Sequence, residues 1–153
     1  MILQASQRIA APQAFVFARA LEIDRLLRAA EARGAEVDPP ERDGARLRCA
    51  LRYPVRGQAV PLVLSLEPVA EAGTVTLEVA ARAVVAEGRL WFAAAGAEAT
   101  DMALRAELRP LGLQGRVLLG SLRMAQGQVQ ARLERDLAAL ARGAEALWRG
   151  DAA

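Results

Sequence analysis

The feature that most constrains this chain is a long run of period-two hydrophobicity between Ala35 and Leu111. Leu47, Cys49, Leu51 and Tyr53 alternate there with Arg46, Arg48 and Arg52. Val60, Leu62, Leu64 and Leu66 follow, then Val75, Leu77 and Val79 against Thr74, Thr76 and Glu78. Leu90, Phe92 and Ala94 continue the pattern, and Met102, Leu104, Ala106 and Leu108 close it against Asp101, Arg105, Glu107 and Arg109. One apolar face and one charged face is the signature of an antiparallel sheet with a single wet side. Asp43-Gly44, Arg56-Gly57, Ala72-Gly73 and Glu87-Gly88 predict the hairpin connections. None of the intervals leaves room for a crossover helix, so parallel pairing is excluded.

Both flanks read differently. Ile2 to Ile9 predicts a strand with Leu3, Ala5, Gln7 and Ile9 on one face. Ala11-Pro12 then opens a short helix, proline being well tolerated at a helix start, and Phe15, Val16, Ala18 and Leu21 give it an apolar side. A second helix is predicted from about Glu22 to Arg33, acidic at its start, basic at its end and stopped by Gly34. After the sheet, Gln114 to Arg149 returns to helical spacing. Leu118, Leu122, Val129, Leu133, Leu137, Leu140, Ala144 and Leu147 form one stripe, with a bend allowed by Gly120 or Gly127. The expected fold class is α+β: a curved antiparallel sheet wrapped around a long C-terminal helix, with two short helices after the first strand. That helix is the only element large enough to cover the sheet. A chain of 153 residues fits one domain, expected over 1–150.

The chain contains no histidine. This removes the commonest general base, the usual metal ligand and every histidine-based triad. Catalytic residues, metal ligands and a cofactor are therefore not expected. Cys49 shares the parity of Leu47 and Leu51, so it reads as a small buried hydrophobe and not as a nucleophile. With one cysteine no intrachain disulfide can form. All twenty basic residues are arginine, which together with abundant alanine fits a genome-wide codon bias better than an anion-binding design. Net charge is only +2 and acidic residues are interspersed, so nucleic acid is not an expected partner. No glycine-rich phosphate loop leads from a strand into a helix. Glu67, Glu78 and Glu107 fall on the wet face, where neighbouring arginines are expected.

The order strand, two helices, antiparallel strands, long helix resembles the START-like, or SRPBCC, superfamily with its helix-grip fold. Ile9-Ala-Ala-Pro-Gln-Ala-Phe-Val-Phe17 is similar to that group's opening motif: a strand ending in isoleucine, a proline-initiated helix and a hydrophobic-phenylalanine pair. Leu108 ending a strand before a helix from about Gln114 resembles its close. The similarity extends over essentially the whole chain and is nearest to small bacterial members of the polyketide cyclase/dehydrase and lipid-transport group. It implies an apolar ligand (a lipid, polyketide or quinone-like molecule) held between sheet and helix.

The expected pocket lining is Leu62, Leu64, Leu77, Phe92 and Leu104 from the sheet, with Met124, Val129 and Leu133 from the helix. Aromatic residues make up only 4% of the chain, so large fillers are few and a curved sheet is expected to leave a cavity. Tyr53 offers a hydroxyl from the inner face, and Gln126 and Gln130 share a helix face able to orient a polar ligand end. The expected function is non-enzymatic binding or carriage of a small hydrophobic ligand. A cyclase/aromatase-type enzyme is the alternative and would need Tyr53, Gln7, Gln126 or Gln130 inside the cavity. A ligand-free interaction module would instead show a filled core and an exposed apolar patch. Membrane contact is expected to be at most peripheral, because the helix stripe is committed to the sheet. The opening residues lack the basic start and apolar run of a signal peptide, and a cytoplasmic location is expected. Oligomeric state is left open.

Overall fold

A computed structural model describes residues 1–150, and the alternating region joins the N-terminal strand in an eight-stranded, wholly antiparallel sheet. The elements in chain order are β1 (Ile2–Ile9), α1 (Gln13–Ala20), α2 (Ile23–Ala32), β2 (Glu36–Val37), β3 (Glu41–Asp43), β4 (Arg46–Val55), β5 (Gln58–Val69), β6 (Thr74–Ala81), β7 (Val84–Gly96), β8 (Ala99–Pro110), α3 (Gly112–Met124) and α4 (Gln126–Arg149). The sheet order is β1-β8-β7-β6-β5-β4-β2, with β3 also pairing β4. The curved sheet, the two short helices and the C-terminal helical segment together make the α+β helix-grip arrangement.

Register explains the two faces. Leu47 stands opposite Leu66, Cys49 opposite Leu64 and Leu51 opposite Leu62; Leu66 in turn meets Leu77, and Leu64 meets Val79. Leu90 lies opposite Val75 and Leu104, and Ala5 lies opposite Leu104. The inner face is therefore aliphatic from edge to edge. At the Arg56-Gly57 turn both residues have positive φ, the combination that matches hairpin twist. Two buried clusters form on this face. The first joins Ile9, Val16, Val75, Phe92, Met102, Leu137 and Ala141; the second joins Ile23 and Leu27 of α2 to Leu47, Cys49 and Leu51. Thr100 donates a buried hydrogen bond of 2.8 Å to the Ala11 carbonyl and fixes the β1–α1 connection.

One expectation is corrected and two are made more exact. Glu87-Gly88 is not a turn but lies inside β7; the hairpin turns instead at Arg82 and Ala83. A Cβ on Gly88 would come within 2.7 Å of the Arg105 carbonyl oxygen, so this glycine serves close strand approach. The bend allowed at Gly120 or Gly127 falls between them, at Ala125, and divides the C-terminal helical segment into α3 and α4. The buried stripe of α4 runs through Leu133, Leu137, Ala141 and Ala144, while Leu140 and Leu118 are exposed. The outer-face carboxylates lie among arginines as expected, though not directly opposite them. Glu78, Glu87 and Glu107 stand directly opposite one another across β6, β7 and β8, and Arg89 pairs with Arg105 in the adjacent row. Arg109 relieves this row by bonding the Glu87 carboxylate diagonally.

Cys49 is 1% exposed, with its thiol 3.6 Å from the Asp38 carbonyl oxygen. Burial pushes the thiol up from its ordinary value, and the charge of Asp38 adds to the effect. A thiol reagent at mildly alkaline pH is expected to leave the folded protein unmodified over minutes and to titrate one equivalent after denaturation. Rapid modification of the folded protein would contradict this placement.

Candidate ligand-binding groove

The inner face is covered unevenly, and the reason lies in where each helix finds apolar partners. The helix α4 runs along the edge strand β1, and α1 rests on β7 and β8. Phe15 of α1 meets Trp148 of α4 with ring centroids 5.1 Å apart, closing that end of the grip. At the opposite edge α2 sits beside β2 and sends Ile23 and Leu27 onto β4. Among the described residues no helix backbone runs close along β5 or β6. Leu62 and Leu64 lean on the second cluster, while Leu90 and Leu104 lean on the first. Leu77 and Val79 of the central strand β6 belong to neither, and both remain only partly buried. A strand in the middle of a sheet is where inward leucine and valine are normally sealed, so the apolar face here is incompletely covered.

Beside this face a cleft opens between two walls. Arg33, just after α2, and Tyr53, near the end of β4, form one; Arg132, Arg135 and Asp136 of α4 form the other. The space between them is about 580 Å³ and widely open. Arg132 reaches Asp136 at 3.6 Å, whereas Arg33 and Arg135 have no carboxylate within ion-pair distance among the described residues. The mouth is thus cationic, with a phenol beside it.

A second depression, about 640 Å³, lies on the outer face among Arg46, Glu67, Glu78, Arg89, Arg105 and Glu107. Although larger, it is a shallow valley of a twisted sheet between long charged side chains of both signs. Leu66, Leu77 and the exposed Trp91 also border it, but its interspersed charges of both signs suit a hydrophobic molecule less well than the aliphatic inner face.

Of the residues expected to line the pocket, Leu62, Leu64, Leu77 and Leu104 lie partly buried on the inner face, and Val129 and Leu133 lie partly buried on α4. Phe92, at 4% exposure, is sealed inside the first cluster, edge-on to Phe17. Met124 points into solvent at the helix break, and Gln126 is exposed. Gln130 donates its amide to the Gln4 backbone carbonyl of β1 and, at 3.0 Å, to Glu134; it ties α4 to the sheet edge instead of facing a ligand. Tyr53 is at the mouth with no hydrogen-bond partner among the described residues. Sequence reasoning missed Arg33, Arg132 and Arg135. Their one signal was position, at the end of α2 and on the side of α4 next to Leu133, and uniform arginine usage hid it.

This architecture is the START-like helix-grip fold. The protein TTHA0849 of Thermus thermophilus superposes with a TM-score of 0.72 at 24% identity, over 96% of this chain and 99% of that one. The ZhuI aromatase/cyclase of a Streptomyces species gives 0.70 at 16%, over 95% and 94%. A START superfamily protein from Mycobacterium smegmatis gives 0.55 at 12%, over 86% and 95%. No protein-family model matches the chain, and no curated protein matches it in sequence. At such identities the likeness is one of fold.

Proposed function

We propose that the protein binds a small hydrophobic molecule with an acidic end, its apolar part against the inner face and its charge at the arginine mouth. The observation that carries this reading is the incomplete burial of Leu77 and Val79 on a central strand. Apolar surface left open there favours an apolar occupant, at roughly 25 cal/mol for each Å² removed from water. Arg33 and Arg135 then supply charge-assisted hydrogen bonds to a carboxylate or phosphate, and the Tyr53 hydroxyl a further donor. Inward side chains from Leu62 to Leu108 carry no titratable group, so holding is favoured over converting. The likeness to an aromatase/cyclase supports an enzymatic second reading on the same groove. That reading would depend on Tyr53, the one phenol at its mouth.

Dodecanoic acid and dodecanol share a tail and differ at the head. Both are expected to raise the melting temperature, the acid binding about tenfold more tightly, as one charge-assisted pair suggests. Replacing Arg33→Gln and Arg135→Gln together should equalise the two, and Leu77→Trp should abolish both by filling the groove. Absence of any thermal shift with either molecule would remove the proposal.

A further inference from the structure

The helix α3 carries apolar residues on two opposite sides, and only one side is used by the fold. Gly115 and Leu119 are buried, and Gly115 sits so close to the turn between β6 and β7 that a Cβ there would lie 2.1 Å from the Ala83 carbonyl oxygen. Leu122, partly buried, continues this packed side. On the far side Leu113 is 77% exposed, Val117 65% and Met124 93%. At about 100° per residue these three fall within about 40° of one another and nearly opposite Leu119 and Leu122. The stripe cannot turn inward, because the inward side of α3 is already seated.

Charge tells what such a stripe faces. Arg116 and Arg123 flank it on one side, and neither has an acidic partner among the described residues. Between Glu107 and Glu134 the chain has no acidic residue at all, while it has Arg109, Arg116, Arg123 and Arg132. Apolar side chains pointing straight out, unpaired arginines beside them and no carboxylate on the helix itself match the interface of an anionic bilayer: acyl boundary for the stripe, headgroup phosphates for the guanidiniums. The break at Ala125 makes this compatible with the fold, since α4 buries its own stripe independently of α3. We infer that α3 is a peripheral docking helix for anionic lipid surfaces. No helix is long and apolar enough to cross a membrane among the described residues, so the contact is one of lying on the surface.

Flotation with lipid vesicles tests this with the whole chain and no added ligand, so its outcome is independent of what the groove binds. Vesicles of phosphatidylcholine mixed with phosphatidylglycerol are expected to carry the protein at low salt, and pure phosphatidylcholine vesicles to carry much less. The double variant Leu113→Ser/Met124→Ser changes only exposed side chains and should lower partitioning about tenfold or more while leaving the melting temperature within a few degrees. Arg116→Gln/Arg123→Gln should erase the preference for the anionic vesicles and its salt dependence. Failure to float with either vesicle would overturn the inference. So would flotation unaffected by the serine variant, or light scattering that shows a dimer, lost in the serine variant, with no vesicle binding.

Discussion

Gly115→Ala is expected to destabilise the protein by about 3 kcal/mol, although alanine is normally about 1 kcal/mol better than glycine inside a helix. The added methyl carbon would meet the Ala83 carbonyl oxygen at 2.1 Å and the Pro110 backbone at 3.0 Å. Both are main-chain atoms, so no rotamer change relieves the contact; α3 must lift from the hairpin end or the turn must move. The control is Gly120→Ala, one and a half turns further along the same helix, where a Cβ meets nothing within 4 Å. That change should stabilise by up to about 1 kcal/mol. Urea denaturation of the two variants should therefore move the midpoint in opposite directions, with melting temperature falling roughly 6–12 °C for Gly115→Ala. Equal effects at the two positions would mean that α3 is not seated on the β6–β7 turn. The outward aim of Leu113, Val117 and Met124 would then lose its structural basis.

How far the sequence foretold these features depends on whether the determinant was local. The sheet was legible because each strand repeats its own instruction: Leu47-Arg48-Cys49 or Leu104-Arg105-Ala106 specifies inside and outside without reference to distant residues. Gly88 misled because an acidic-glycine pair has the same spelling in a turn as in a close strand approach, and only the Arg105 carbonyl across the ladder distinguishes them. The helix break was legible as a bend near Gly120 or Gly127, but its exact place was not. Ala125 is neither glycine nor proline, and the apolar spacing of Leu118, Leu122 and Val129 continues through it as though the helix were whole. The tie made by Gln130 is illegible from its own segment because its partner, the edge carbonyl of Gln4, belongs to a strand over a hundred residues earlier. The mouth is the same kind of case: Arg33, Tyr53 and Arg135 converge only after α2 and α4 take opposite edges of the sheet. Periodicity specifies the face a residue occupies; which faces stay uncovered follows from packing.

Phe92→Ala and Leu77→Ala should separate sharply, and their difference bears directly on whether the inner face is a groove. Phe92 is 4% exposed, packed edge-on to Phe17 at 5.8 Å between ring centroids and surrounded by Ile9, Val16, Val75, Met102 and Leu137. Its removal leaves an enclosed void as well as losing transfer free energy, and about 3–5 kcal/mol is expected. Leu77 is also inward and central, but it belongs to no closed cluster. Truncating it widens a space that water already enters, so the cavity contribution vanishes and about 1–2 kcal/mol remains for the part that was buried. Dodecanoic acid should enlarge the cost of Leu77→Ala, because the bound tail restores the missing contacts in the parent and finds fewer in the variant. It should leave the cost of Phe92→Ala nearly unchanged, since that site lies within the sealed cluster under α4. Equal losses at the two positions without ligand would mean that the inner face is closed over β6, and a ligand-holding function would then have no space to occupy.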